Sequence, residues 1–344
     1  MRICKLCGEN KAAQAIGFCA SCLKSLTDKS QIYHLHEPVR RKYNLSFHPP
    51  QSKEGLPCNL CANNCSMAPG EQGYCGLREN REGKLHNHMG QAEAYAYIYL
   101  DPLPTNCCAA WFCHASQQRG YNLAVFFYGC NFDCLFCQNS SHKKGSTAPH
   151  ITEEEMLTAA LAKQVRCVCF FGGSPEPQFG FALKVAKKIR EQSNKHICWE
   201  WNGCGNQKLV KRAASYSSAS MGTVKFDLKA FSPFITYALC GVDNSRSYTN
   251  FAALAKEYPE NNFLTATTLL VPYYVDKEEV GAIARFISEL NQEIPYSLLV
   301  FHPDFYLEDL PVTPKEQVTE CYEEAKKYLF NVNIGNKHLL GGAL

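Results

Sequence analysis

The feature that most restricts this chain is the place where one group of its cysteines falls. Cys130, Cys134 and Cys137 have C-x3-C-x2-C spacing inside GCNFDCLFCQNSS, residues 129–141, directly after the apolar run NLAVFFY at 122–128. A near-continuous apolar run of this length fits a strand covered on both faces. Five comparable runs follow: VRCVCFF (165–171), HICWEW (196–201), TVKFDLK (223–229), FLTATTLLV (263–271) and YSLLVF (296–301). Helix-like stretches separate them. Their starts read at Thr152 with Glu155, Asp276 with Glu279, and Thr313-Pro314 with Glu316, each a capping residue with an acid three positions on. Strands alternating with helices predict an α/β fold with a parallel sheet and right-handed crossovers, an open or partial (β/α)6 barrel related to the TIM barrel. Chemistry in such folds gathers at the C-terminal ends of strands. The three-cysteine group begins at one such end.

A chain of 344 residues that is 46% hydrophobic can bury a large domain and carry one or two small modules. Its formal charge of +3 is too mild to argue for wholesale nucleic-acid binding. No apolar run approaches a membrane span, and MRICKLCGEN has no signal-peptide apolar stretch, so a cytoplasmic protein with no membrane partner is expected. Twenty cysteines in a reducing compartment point to metal or iron–sulfur ligation.

The cysteines divide the chain into four expected stretches. Residues 1–25 place Cys4, Cys7, Cys19 and Cys22 at C-x2-C-x11-C-x2-C, two knuckles able to close a tetrahedral thiolate site around zinc or a single iron. Four thiolates leave no open position, so a structural role is expected. Residues 26–57 read as a basic linker; residues 1–53 hold nine Lys/Arg against three Asp/Glu, either a solvated face or a docking surface for an acidic partner. Residues 58–117 form a second cysteine-rich module. There Cys58, Cys61, Cys65 and Cys75 sit at C-x2-C-x3-C-x9-C among Pro69, Gly70 and Gly73, which suits a loop wrapped around an iron–sulfur cluster or zinc. Cys107, Cys108 and Cys113 in the same stretch have three open readings: a substitute ligand, a further site, or buried thiols. So do Cys198 and Cys204, as buried thiols, relay groups or ligands. Residues 118–344 carry the β/α alternation.

Three cysteines rather than four leave one iron of a [4Fe–4S] cluster without a protein ligand, open to a substrate. A zinc knuckle would need a fourth ligand; Asn131, Gln138 and Asn139 are poor ones, and His142 is the nearest usable one.

On these residues the sequence resembles the radical S-adenosylmethionine (radical SAM) superfamily, in the branch of the pyruvate formate-lyase activating enzymes, over residues 55–344. The resemblance implies that Cys130, Cys134 and Cys137 hold the [4Fe–4S] cluster, whose open iron binds S-adenosylmethionine (SAM), with Phe136 against the adenine. FFGGSPEPQ (170–178) is similar to the family's GGEP motif, with Ser174-Pro175 inserted before Glu176, and implies SAM contacts from Gly172, Gly173, Ser174 and Glu176. WEWNG (199–203) resembles the TNG stretch and implies Asn202 near SAM. FDLKA (226–230) resembles the DLK run of glycyl-radical activases, making Asp227 and Lys229 candidates for catalysis or polypeptide binding; His302, after the last strand, is a third. LLVPYYVDKEE resembles an LVPG strand with a tyrosine in place of the glycine. The N-terminal cysteine modules depart from the ferredoxin insert of true activases, which follows the cluster motif.

The function this implies is hydrogen abstraction by a 5′-deoxyadenosyl radical from a residue of a protein or peptide partner, at a Cα–H, with a low-potential donor such as ferredoxin or flavodoxin supplying the electron. One alternative is a protein C-methyltransferase using cobalamin held in the barrel mouth. Another, of a different class, is a non-enzymatic metal or iron–sulfur protein that moves electrons or docks on RNA. The aromatic cluster loop and the β/α repeat argue against the second.

Overall fold

The computed structural model describes residues 1–90, 92–105, 107–260 and 263–341. Two compact units are present. The first comprises Arg40–Asn131 and Asn139–Lys225, the second Met1–Val39, Phe132–Gln138 and Phe226–Leu344.

In the first unit, β1 (Glu93–Pro102), β2 (Tyr121–Phe127), β3 (His150–Thr152), β4 (Val165–Gly172) and β5 (His196–Trp201) form the sheet. β2, β4 and β5 run parallel, with Ala124 opposite Cys169 and Cys169 opposite Cys198. β1 lies antiparallel to β2, and β3 antiparallel to β1. The helices are α1 (Glu153–Leu161), α2 (Phe179–Gln192) and α3 (Gln207–Ser218). α1 opens on the capping box expected from Thr152 and Glu155. The Glu155 N–H donates to Thr152 Oγ1 at 3.2 Å, and the Thr152 N–H donates to the Glu155 carboxylate at 2.8 Å. The sequence predicts no strand before residue 122. β1 pairs with β2 through the tyrosine-rich run EAYAYIYLDP, whose exposure prevents the continuous apolar signature of a covered strand.

Because side chains alternate across a strand, β4 and β5 have two chemically different faces. One is aromatic: Phe170 stacks on Trp199 with centroids 4.5 Å apart, and the buried Trp199 indole donates to the Ala213 carbonyl of α3 at 3.0 Å. Such a pair adds about 1 kcal/mol beyond its burial. The other face carries Cys167, Cys169, Cys198 and Glu200.

The second unit takes up the alternation. β6 (Val224–Asp227) crosses the boundary between the units. After it come α4 (Pro233–Cys240), α5 (Ser245–Glu257), β7 (Leu264–Leu270), α6 (Lys277–Ser288), β8 (Tyr296–Val300), α7 (Lys315–Lys326) and β9 (Val332–Gly335). β7, β8 and β9 are parallel neighbours. α6 has the expected Asp276 cap, which accepts from the Glu279 N–H at 3.1 Å. The class is therefore the α/β one that the alternation predicts, with parallel strands in each unit and small cysteine-rich segments ahead of them. All six predicted strands are present within about two residues of their expected ends.

Two local features differ from expectation. Tyr273, where the resembling motif has glycine, adopts φ of 68°. It thus keeps the left-handed backbone that glycine would take more easily. The cap expected of Thr313 does not form: α7 begins after Pro314, with no side-chain cap. The buried Thr313 hydroxyl instead accepts the Phe301 N–H at 2.7 Å and donates to the Leu270 carbonyl at 2.8 Å. It bridges the exits of two parallel strands. Thr313→Val keeps the volume but strands both backbone groups, and should lower the unfolding free energy by about 2 kcal/mol, whereas Thr313→Ser should retain most of it. Urea denaturation of the three proteins measures the difference, and equal losses for valine and serine would remove the bridge from the account.

Candidate functional site

In the first unit the chain turns out of β2 into the cysteine motif, and Gly172 and Gly173 pass beneath that turn. Gly172 has φ of 114°, and a Cβ there would lie 2.5 Å from the Phe127 nitrogen. A Cβ at Gly173 would lie 2.2 Å from the Gly129 carbonyl oxygen. Only glycine allows this approach. It is held by the Gly173 N–H, which donates to Phe127 O at 2.9 Å, and by the Ser174 N–H, which donates to Gly129 O at 3.3 Å.

That approach brings Cys130 to the loop: its thiol donates to the Gly173 carbonyl at 3.3 Å. Asn202, at the exit of β5, donates through Nδ2 to Asn131 Oδ1 at 2.7 Å and Ser174 Oγ at 3.1 Å, and lies 3.9 Å from Cys130 Sγ. Glu176 is fully buried and accepts from the Ser174 hydroxyl and, at 2.9 Å, from the Gly203 N–H. Gly172, Gly173, Ser174, Glu176, Asn202 and Cys130 thus share one network. Asn131, unattractive as a metal ligand, proves to be its hub. It receives Asn202 on its side chain and the Asn63 amide on its backbone carbonyl at 2.8 Å. The only sequence signal for it was its position directly after the first cysteine.

In the second unit, Phe132–Gln138 is fastened to the last turn of α4. The Asp133 N–H donates to Cys240 O at 2.8 Å and the Leu135 N–H to Leu239 O at 2.9 Å, satisfying carbonyls that a helix end leaves without partners. The buried His36 ring, which the sequence did not single out, places Nδ1 3.1 Å from Asp133 Oδ2 and Nε2 3.1 Å from the Tyr237 carbonyl. Asp227 and Lys229, at the end of β6, form a direct ion pair, and Lys229 Nζ lies 5.3 Å above the Phe136 ring. Burial opposes the Lys229 charge, but Asp227 and the Cys134 thiol together hold its pKa above the usual lysine range. His302 is exposed in the loop after β8.

Cys4, Cys7, Cys19 and Cys22 bring their sulfurs within 4.8 Å of one another. Tetrahedral bonds of about 2.3 Å need sulfurs about 3.8 Å apart, so the group fits a single ion. Burial opposes ionisation of Cys4, yet backbone donors at Cys7, Cys19 and Leu6 draw its pKa down to about 6. The module is anchored by the Tyr274 hydroxyl, which accepts the Ala13 N–H at 2.8 Å and donates to Phe18 O at 3.0 Å, and by a Lys24–Glu279 ion pair at 3.2 Å.

Cys58, Cys61, Cys65 and Cys75 are not gathered as closely. Among the described residues, the groups of three or more ligand atoms within 4.8 Å are the Cys4 set, Glu79 with His86 and His88, and Cys107 with Cys108 and Glu200. Glu79 already accepts from Arg81. Burial pushes the Cys61 and Cys75 thiols up, at Cys75 against the opposing pull of Arg78 and Arg40.

Burial also pushes Glu176 up from 4.5 to about 7, against the hydrogen bonds from Ser174 and Gly203. The folded state therefore keeps a proton that the unfolded chain releases, and stability falls as pH rises from about 4.5 to about 7, by up to about 3 kcal/mol. Glu176→Gln should flatten that slope in urea denaturation at about pH 5 and pH 7; an unchanged slope would mean the carboxyl is ionised throughout.

Residues 124–287 match the radical SAM superfamily. An uncharacterized protein of Methanocaldococcus jannaschii is 26% identical over 80% of this chain and 81% of its own length. A second protein of that organism, provisionally named a glycyl-radical enzyme activating enzyme, is 26% identical over 61% of this chain and 87% of its own. The isethionate sulfite-lyase activating enzyme of Desulfovibrio desulfuricans is 29% identical over 44% of this chain and 46% of its own. Among solved structures, a domain of the pyruvate-formate lyase-activating enzyme of Bacteroides vulgatus aligns with 49% of this chain and 99% of its own, at 18% identity and a TM-score of 0.43. With its cysteine motif at the end of β2 and the glycine pair beneath it, the stretch 124–287 is a radical SAM domain, and the chain is an enzyme similar to the glycyl-radical activating enzymes.

Proposed function

We propose that this enzyme cleaves SAM on a [4Fe–4S] cluster ligated by Cys130, Cys134 and Cys137 and takes hydrogen from a Cα–H of a polypeptide partner. The observation that carries the reading is the network joining Cys130 to Ser174, Glu176 and Asn202 across a glycine pair that leaves no room for a Cβ. The donor set fits the group. Cys130 is half-exposed, as are Cys134 and Cys137, and three soft thiolates from one motif suit a cluster with an open iron. When bound, the cluster and SAM supply a one-electron reduction and the 5′-deoxyadenosyl radical.

The chain's own residues then have separate tasks. Asn202 and Ser174 fix the loop after β4 so that the backbone of Gly172 and Gly173 is presented to the SAM amino group. Neutral at lower pH, Glu176 supports Ser174 and the Gly203 turn; it sits behind the surface rather than on it. Phe136 offers an apolar face to the adenine, and Lys229, held charged by Asp227, a cation to a carboxylate. Cys4, Cys7, Cys19 and Cys22 hold zinc or one iron structurally. Cys58, Cys61, Cys65 and Cys75 hold an additional cluster, because a cubane binds each thiolate to a different iron and so keeps the sulfurs farther apart than one ion does.

Support for a polypeptide substrate comes from the activase-like DLK run and from relatives named for activating other enzymes. A low-potential ferredoxin or flavodoxin supplies the electron. The test is anaerobic incubation of the reduced enzyme with SAM and a partner peptide deuterated at Cα. Deuterium should enter 5′-deoxyadenosine, and Cys134→Ala should yield none of the nucleoside while keeping the metal of the Cys4 set. Deuterium drawn from a side-chain position would reject the Cα assignment. Undiminished SAM cleavage by Cys134→Ala would reject the cluster assignment.

A further inference from the structure

On the face of β4 and β5 away from the aromatic core, the first unit holds a second concentration of thiols. Cys167, Cys169 and Cys198 line a cavity of about 130 Å³ together with Cys107, Cys113 and Glu200. Lys225, only 2% exposed, projects among them. Its ammonium donates to Cys107 Sγ at 3.2 Å and Cys169 Sγ at 3.3 Å, and pairs with a Glu200 oxygen at 3.0 Å. The ligand atoms of Cys107, Cys108 and Glu200 converge within 4.8 Å.

We propose that Cys107, Cys108 and Glu200 bind one thiophilic divalent cation, of the zinc or ferrous class, at a site separate from the Cys4 module. Three observations carry it. First, the convergence is that of donors to a single ion: two soft sulfurs and a carboxylate, a mixture that suits these metals. Second, Cys107 Sγ receives the Cys108 thiol, the Lys225 ammonium and the Ala109 N–H at 3.4 Å. Donors aimed at a sulfur favour its thiolate form and are the outer contacts that hold a metal ligand in place. Third, a divalent ion would balance the charge. Metal ligation requires both thiols to give up their protons, and two thiolates and one carboxylate against Lys225 then carry an excess of two negative charges, which one divalent cation cancels. The cavity has room for a water as fourth ligand. Glu200, with 44% of its side chain exposed, stands on the open side, where an ion can enter.

The experiment uses full-length protein stripped of metal under anaerobic conditions and titrated with Co²⁺ in the absence of sulfide. Uptake is read from the thiolate-to-cobalt absorption band and by elemental analysis. Wild-type protein should bind about one equivalent more than the Cys107→Ser/Cys108→Ser double variant, while Cys7→Ala keeps that equivalent and loses a different one. Glu200→Gln preserves the thiols and a polar partner for Lys225 and should weaken the same equivalent at least about tenfold, with a cooperative thermal melt retained; it decides the matter should the double variant fail to fold. Equal Co²⁺ uptake and an equal band in wild type and Glu200→Gln would overturn the site. So would metal that binds there only as iron with added sulfide, because that would make it a cluster. The readout is metal content, so the proposal stands or falls independently of SAM cleavage.

Discussion

The approach of Gly172 and Gly173 to the turn at Phe127–Gly129 is the contact on which the first unit's candidate site depends. A parallel sheet already sets β2 and β4 side by side, but their exits carry loops that would ordinarily splay apart. Two residues without Cβ let the β4 loop pass under the β2 turn, so that the carbonyl of Gly173 meets Cys130 and the hydroxyl of Ser174 meets Asn202. Remove that approach and Glu176 has no reason to be buried, since its partners are Ser174 and the Gly203 N–H drawn to the same place. Its raised pKa is thus a consequence of the packing.

Cysteine serves in several environments here, and geometry separates them where composition cannot. Four sulfurs at single-ion spacing, with backbone donors that favour thiolate, mark the Cys4 module. The Cys58 set shares the knuckle spacing in sequence but spreads wider in space. Cys321 and Cys240 are buried thiols on helices, and burial raises the pKa of both. The thiols beside Lys225 form a fourth class: a buried ammonium is in place before any metal, so the site has an intrinsic counter-charge. Lysine is costly to bury alone and is retained where anions surround it.

In the second unit the same economy of backbone groups recurs. The last carbonyls of α4 accept the N–H groups of Asp133 and Leu135, and Thr313 ties the exits of β7 and β8. A helix end and two strand ends, each of which would otherwise present unpaired groups, are closed by loop residues. The loops that carry chemistry are therefore also the ones that complete the hydrogen bonding.

Periodicity determined much of this by itself. Apolar runs of strand length between capped helices specify a parallel α/β sheet, because burial on both faces leaves no polar alternation; all six runs are strands. The place of the C-x3-C-x2-C group at a strand exit was legible from the apolar run before it, while the glycine pair and Asn202 drew notice through the resemblance, and the fold brings them beside Cys130. In VRCVCFF, Cys167 and Cys169 must share a side because they are two apart on a strand, but only the pairing of β4 with β5 brings Cys198 beside them. Tertiary structure decided what sequence spacing cannot carry. β1 escaped because its antiparallel run EAYAYIYLDP is largely exposed and so has no continuous apolar signature. The Thr313 cap failed because a buried hydroxyl found two backbone groups from elements distant in sequence. Asn131, His36 and Lys225 acquire meaning only from neighbours dozens of residues away or more, and Cys107 and Cys108 converge on Glu200 only once a loop folds over the sheet. Local pattern fixes which way a side chain points; which partner waits there is a property of the folded chain.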